Sequence, residues 1–241
     1  GGGNHLGIHD GLLTDGAMQL IATELGFSET IFIDTVGADG PTPVRIFTPA
    51  TELPFAGHPL VGATWHLATP GAAVALRCGI GVVAGHRSTA ETASLEVAHL
   101  PSVERATAPG AVAAWIARMP LPYEVHQLAT PDAVAAYQLD DRPAHRLVWA
   151  VGDGGDDNTV RARFFAPAMG VDEDPATGSA AVALAAVLRH EGHTSGSLTI
   201  HQGAEVGCPS RIDLSWTARD TVIGGAVADD GLRTVSAPTG S

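Results

Sequence analysis

Two stretches of this chain echo one another, and the echo limits the possible folds more than any other feature. Arg45-Ile-Phe-Thr-Pro49 is matched by Arg163-Phe-Phe-Ala-Pro167. After each comes a loop, then Pro54-Phe-Ala-Gly57-His58 in one half and Pro175-Ala-Thr-Gly178-Ser179 in the other. Both copies then enter a run of small and aliphatic residues. A second Pro-x-x-Gly arises easily by chance in a chain with 29 Gly and 16 Pro. The same Arg-x-Phe-x-Pro ahead of both does not. The repeat predicts two homologous lobes, assigned to residues 1–105 and 106–241, with the C-terminal tail as a segment that can return to the first lobe.

Local patterns fill in the lobes. Thr14 is placed to cap a helix in which Met18, Ile21 and Leu25 recur at helical spacing and Gly26 ends the run. Thr30–Asp34 and Pro43–Thr48 read as strands, 57–67 as a helix, and 74–76, 81–84 and 94–98 as strands. The Pro-, Thr-, Ala- and Gly-rich stretch 101–110 reads as the approach to the lobe boundary. Beyond it the reading is a short helix near 111–117, another near 131–137, a strand at 146–151, a turn at 152–158 and a strand at 160–166. A helix over 179–190 ends before Gly192, and strands follow at 197–201, 211–216 and 221–227. Strands outnumber helices, which favours an α+β fold over a doubly wound sheet.

Composition removes several kinds of chemistry. The formal net charge is -13, with 13 basic against 26 acidic residues, the wrong balance for nucleic acid. Every one of the cations is arginine, because the sequence contains no lysine. Pyridoxal phosphate and Schiff-base chemistry need a lysine amine, and a Walker A loop needs one at the phosphates. Cys78 and Cys208 are too few and too far apart for a disulfide framework or a zinc ribbon. The histidine spacings His5/His9 and His190/His193 lack a supporting carboxylate pattern, so no metal is expected. No apolar run approaches the ~20 residues of a membrane span, and no signal peptide is visible, so the expected setting is cytoplasmic, away from membranes.

The two turns are where chemistry is expected. A glycine just before a helix exposes backbone N–H groups at the positive end of the helix dipole, a place for a carboxylate; equally, Gly57 and Gly178 read as simple tight turns. His58 follows one glycine, and Ser179 follows the other with Asp174 ahead of the proline. A histidine shuttles protons near neutral pH and a neighbouring carboxylate can share in the transfer. The plainer reading of His58 is a satisfied helix-start histidine, and of Asp174 and Ser179 simple N-terminal capping. Glu29, in Phe27-Ser-Glu-Thr30, is either a partly buried acid/base, an exposed loop carboxylate or a partner to an arginine.

Taken together, Ser28-Glu29-Thr30, the run Arg45 to Pro59 ending in Gly57-His58-Pro59, Arg163-Phe-Phe-Ala-Pro167, Glu173-Asp-Pro-Ala-Thr-Gly-Ser-Ala180, Gln202-Gly-Ala-Glu-Val-Gly-Cys-Pro-Ser-Arg-Ile212 and Gly224-Gly-Ala-Val227 resemble the phenazine-biosynthesis PhzF-like family. The resemblance implies a diaminopimelate-epimerase-like fold, two lobes that each wrap a mostly antiparallel sheet around a central helix, as a homodimer. It implies a cofactor-independent isomerase that moves a proton in a small unsaturated amino or imino acid of secondary metabolism, a dihydro-hydroxyanthranilate in the characterised member. Glu29 is then the acid/base, His58, Asp174 and Ser179 the catalytic polar groups, and the amides around Gly57 and Gly178 the carboxylate clamp. Related racemases use two thiols, which neither turn contains here. Members begin with a strand before Gly-Asn-Pro, whereas this sequence opens Gly1-Gly-Gly-Asn4-His5. The first strand is therefore expected to be shortened or missing, and Asn4 and His5 to contact substrate. Two other readings stand beside this one: a double-bond isomerase of a pyrroline carboxylate for an antibiotic building block, and a non-catalytic small-acid-binding protein.

Overall fold

The computed structural model describes residues 2–35, 40–98, 101–142, 144–152 and 158–235. The chain divides into two compact units. The amino-terminal unit holds His5–Leu95 and the tail from Gly225; the carboxy-terminal unit holds Gly1–Asn4 and Glu96–Gly224. The division thus falls at Leu95/Glu96 and not near residue 105, because the Pro- and Thr-rich stretch contains a strand, Ser102–Ala106, paired with Ala113–Arg118. The backbone amide of Gly3 donates to the Pro209 carbonyl at 3.1 Å, which keeps the first residues with the carboxy-terminal unit.

In the amino-terminal unit, β1 (Leu6–Asp10) and β2 (Glu29–Ile33) are parallel and joined by α1 (Asp15–Leu25). The Thr14 hydroxyl accepts from the Ala17 amide, and Gly26 ends the helix at a left-handed φ of 63°, as the sequence pattern requires. β2 pairs antiparallel with β3 (Thr42–Phe47), and the short β4 (Glu52–Leu53) pairs with β3. Then α2 (Gly57–Leu67) leads to β5 (Ala73–Cys78), parallel to β3, and to β6 (Gly81–Arg87), antiparallel to β5. β7 (Thr92–Val97) follows β6 in the strand order. α2 lies tight on the sheet: a Cβ on Gly85 would sit 2.1 Å from Thr64 Oγ1.

The carboxy-terminal unit begins with β8 (Ser102–Ala106) and β9 (Ala113–Arg118), a hairpin with no counterpart in the other unit. The expected helix near 111–117 is in fact β9. Its alanines favour helix as single residues, but β8 and β10 pair with it on both sides and that pairing decides the conformation. From there the order of the first unit recurs. β10 (Pro122–Gln127) and β11 (His145–Val151) are parallel across α3 (Pro131–Ala135). β12 (Thr159–Ala166) is antiparallel to β11, and β13 (Val171–Asp174) pairs with β12. After α4 (Gly178–His190), β14 (Gly196–Gln202) is parallel to β12, and β15 (Ser210–Trp216) and β16 (Thr221–Ala226) complete the run. The turn read at 152–158 falls outside the described residues between 153 and 157. Every residue of α4 from Gly178 to Val187 is buried, the mark of a helix enclosed by its sheet. Among the described residues no helix is long and apolar enough to cross a membrane.

The repeated Arg-x-Phe-x-Pro now has a physical basis. Arg45 donates through Nε and Nη2 to both carboxylate oxygens of Glu52, at 2.7 and 2.6 Å, and lies over the Phe47 ring. Arg163 does the same to Glu173, at 2.9 and 2.6 Å, and lies over Phe165. In each unit a bidentate pair ties the central strand to the residue two before the turn proline. The copies differ in burial: Arg45 and Glu52 are 29% and 42% exposed, Arg163 and Glu173 10% and 9%. Arg163 also donates to the carbonyls of Val134, Ala135 and Tyr137.

Two histidines in the carboxy-terminal unit are held below their ordinary value of 6.5, His126 by burial and then by the nearby Arg146 cation, His145 by burial.

The difference in burial between the two ion pairs sets the cost of breaking each. Arg163→Ala strands a buried carboxylate and should cost about 3–5 kcal/mol, whereas Arg45→Ala should cost no more than about 1 kcal/mol. Equal urea midpoints for the two variants would contradict this. The buried histidines take up protons more readily in the unfolded chain. Their contribution to stability is therefore complete above pH 6.5 and is lost as the pH falls through the lowered folded values. Melting temperatures measured from pH 7.5 to 5.0 should fall, and His126→Gln should flatten the slope.

Candidate active site

Glu29 is the first residue of β2, and His58 the second residue of α2. The strand and the helix pack against each other, and their side chains meet: His58 Nδ1 lies 3.3 Å from Glu29 Oε2, with only 16% and 13% of the two side chains exposed. The structure therefore brings together two residues that lie far apart in sequence. Glu29 is not an exposed loop carboxylate, and the His58 ring faces it. The N-cap of α2 is Ala56, which has extended backbone and no side chain to cap with. Gly57 is the first helical residue, outside the left-handed region.

The second group lies in the carboxy-terminal unit. Asp174, the last residue of β13, is 5% exposed. Its Oδ1 accepts from Asn4 Nδ2 at 2.7 Å, and its Oδ2 accepts from the Thr177 hydroxyl. Ser179, the second residue of α4, is also buried, and its Oγ is 3.0 Å from the Tyr123 hydroxyl. Tyr123 packs against Phe164 and His145, with ring centroids 5.0 and 5.9 Å away. As in α2, no side chain caps the start of α4: Thr177 is the N-cap residue but makes no capping bond. Gly178, like Gly57, starts the helix without a left-handed φ. Both helices therefore start without a side-chain acceptor at the end where the backbone donors gather.

Asn4 and His5 part company. Asn4 holds Asp174 in the carboxy-terminal unit. His5 is in the amino-terminal unit, 53% exposed, 3.2 Å from Asp230 and stacked on Phe27, whose ring also carries the Arg233 guanidinium. Its contacts are with Phe27 and the returning tail. Cys78 on β5 and Cys208 in the β14–β15 loop are free and lie in neither turn, and burial pushes the Cys78 thiol up. Among the described residues no group of three or more His, Cys, Asp or Glu side chains is arranged for a metal ion.

Three residues that the motifs did not single out complete the second group: Tyr123, Thr177 and Gln202. No local pattern indicated that Tyr123 would meet Ser179.

The model of the phenazine biosynthesis-like protein family, PhzC-PhzF, matches residues 1–119 and 123–229. The trans-2,3-dihydro-3-hydroxyanthranilate isomerase of Pseudomonas aeruginosa is 35% identical over 216 residues, covering 81% of this chain and 77% of that protein. An uncharacterized isomerase of Mesorhizobium japonicum is 33% identical, covering 84% and 81%. Among solved structures, one described as a predicted epimerase of Pseudomonas aeruginosa superposes with a TM-score of 0.72 at 26% identity, covering 97% and 95%. A probable proline racemase from Agrobacterium radiobacter shares the fold, with a TM-score of 0.65 at 12% identity, covering 93% and 82%. With its duplicated α+β architecture and these relatives, the chain belongs to the phenazine biosynthesis-like family and is an isomerase.

Proposed function

We propose that the chain isomerises a small unsaturated amino or imino carboxylic acid by cofactor-independent proton transfer, with Glu29 as the acid/base. The observation that carries this reading is the partly buried Glu29–His58 pair at 3.3 Å. A carboxylate takes a proton from a carbon next to a conjugated system, the freed electron pair shifts along that system, and the same group returns the proton at another carbon. Atoms and charge balance without an oxidant, a reductant or a lysine. His58, 3.3 Å away, orients the carboxylate and responds to its change of charge. Asp174 and Ser179 are the groups we assign to orienting substrate in the carboxy-terminal unit, and the amide end of a helix such as α2 or α4 is suited to a carboxylate. The substrate we infer is trans-2,3-dihydro-3-hydroxyanthranilate or a close analogue, which the name of the Pseudomonas aeruginosa relative supports.

The test is incubation of that acid with the protein in deuterated water, followed by NMR. The wild type should isomerise it and incorporate solvent deuterium. Glu29→Gln should keep its fold by circular dichroism and lose both activities by at least about 10³-fold. An active Glu29→Gln sinks the role of Glu29, and binding without exchange in the wild type returns the chain to a small-acid binder. Tyr123→Phe removes one buried hydroxyl bond to Ser179. It should lower stability by about 1 kcal/mol and kcat by less than Glu29→Gln does.

A further inference from the structure

Gln202, the last residue of β14, is 3% exposed and spends its whole amide on the turn that carries Asp174. Nε2 donates to the Asp174 main-chain carbonyl at 2.6 Å and to Thr177 Oγ1 at 2.9 Å, and Oε1 accepts from the Thr177 amide at 3.4 Å. A main-chain carbonyl can only accept, so the atom facing it must be the amide nitrogen, and the orientation of the side chain is determined. A nitrogen of that kind can only donate. Thr177 Oγ1 therefore accepts from Gln202, and its single hydrogen points to its other partner, Asp174 Oδ2.

From this we infer that Gln202 is a positioning residue for the isomerisation, acting through Thr177 on Asp174. The inference rests on the reading of Asp174 as a substrate-handling group. Two consequences come from one amide. First, both Asp174 oxygens are held by donors, Oδ2 by Thr177 and Oδ1 by Asn4, which fixes the plane of the carboxylate. Second, Thr177 is withdrawn from the task a threonine at an N-cap normally performs, accepting from an amide of the first helical turn. It makes no such bond, and so does not compete with a substrate anion for the first-turn amides of α4. Without Gln202 the hydroxyl is free to rotate onto its own helix, releasing Asp174 and closing that end together.

The test uses the full chain, with a crystal structure and kinetics on trans-2,3-dihydro-3-hydroxyanthranilate. In the structure of Gln202→Leu the Thr177 hydroxyl should leave Asp174 and reach a first-turn amide of α4. An unchanged Thr177–Asp174 bond overturns the inference whether or not this acid is the substrate. In the assay Gln202→Leu and Thr177→Val should each lower kcat by about 10–100-fold, the scale of a small misplacement at a reacting centre. Thr177→Ser keeps the hydroxyl and should restore kcat to within about threefold. Adding Gln202→Leu to Thr177→Val should cost less than about twofold more, since both act through one carboxylate. A merely structural role would lower the melting temperature without the serine rescue, and that result overturns the inference. Asp174→Asn separates the two levels: full activity there removes the reading of Asp174 itself. A crippled Asp174→Asn beside fully active Gln202→Leu and Thr177→Val removes only the positioning role. Thr177→Val and its serine control carry the test if Gln202→Leu does not fold.

Discussion

The buried pair of Arg163 and Glu173 is the constraint on which the carboxy-terminal unit depends. An arginine and a carboxylate that are both nine-tenths buried are tolerable only when each satisfies the other and the remaining donors find acceptors. Here the guanidinium also takes the carbonyls at the end of α3, so one side chain ties β12, β13 and α3 together. Glu173 is thereby pinned, and the next residue, Asp174, projects to the opposite side of its short strand. The amino-terminal unit uses the same device in a more exposed form, with Leu53 where the other unit has Asp174. Changing one apolar residue to an acid on a duplicated frame creates a polar group whose backbone was already fixed.

The helix starts illustrate a related balance. Leaving an N-cap without a side-chain acceptor costs about 1 kcal/mol. Burying aliphatic side chains such as Val182, Leu184 and Val187 contributes roughly 1.5–3 kcal/mol each. α4 can therefore forgo its cap because its stability comes from enclosure by the sheet. α2 does the same with fewer buried residues. In both, the local deficit sits at the amide end of the helix, the end that the proposed function gives to an anion.

Much of this is legible in the sequence because it depends on near neighbours along the chain. Thr14 and Gly26 bracket α1, and 57–67 has the bounds of α2. The duplicated motif is visible because its arginine, phenylalanine and proline sit within five residues. Its meaning is not, since Glu52 and Glu173 lie at different distances from their arginines, a loop insertion apart. β9 reads as helix because its alanines speak for helix and its neighbouring strands are not in view. β1, β8, β10 and β13 are short strands, and β8 runs through a stretch whose composition reads as linker. Glu29 and His58 can be nominated one at a time from motifs, but their contact needs β2 and α2 in place. The bonds of Gln202 to Asp174 and Thr177 span 28 and 25 positions, beyond any local pattern.

The pairing registers extend the comparison of the two units to single residues. Phe32 stands opposite Arg45, and Val148 opposite Arg163. Counting back three places along each strand makes His145 the counterpart of Glu29. His58 corresponds to Ser179 in the same way, as the second residue of each helix. Glu29 with His58 in the amino-terminal unit thus matches His145 with Ser179 in the carboxy-terminal unit, and Tyr123 bridges the second pair, touching one by its ring and the other by its hydroxyl. Chemistry that inverts a stereocentre calls for two bases of equal competence. These counterparts are unequal: one is a carboxylate beside a histidine, and the other a histidine that burial holds below its ordinary value, packed on the Tyr123 ring. Such inequality supports the one-base reading, in which a single group removes a proton and restores it elsewhere. On that reading the duplication supplied the frame, and the loss of chemical symmetry within it separates an isomerase of this kind from a two-base racemase.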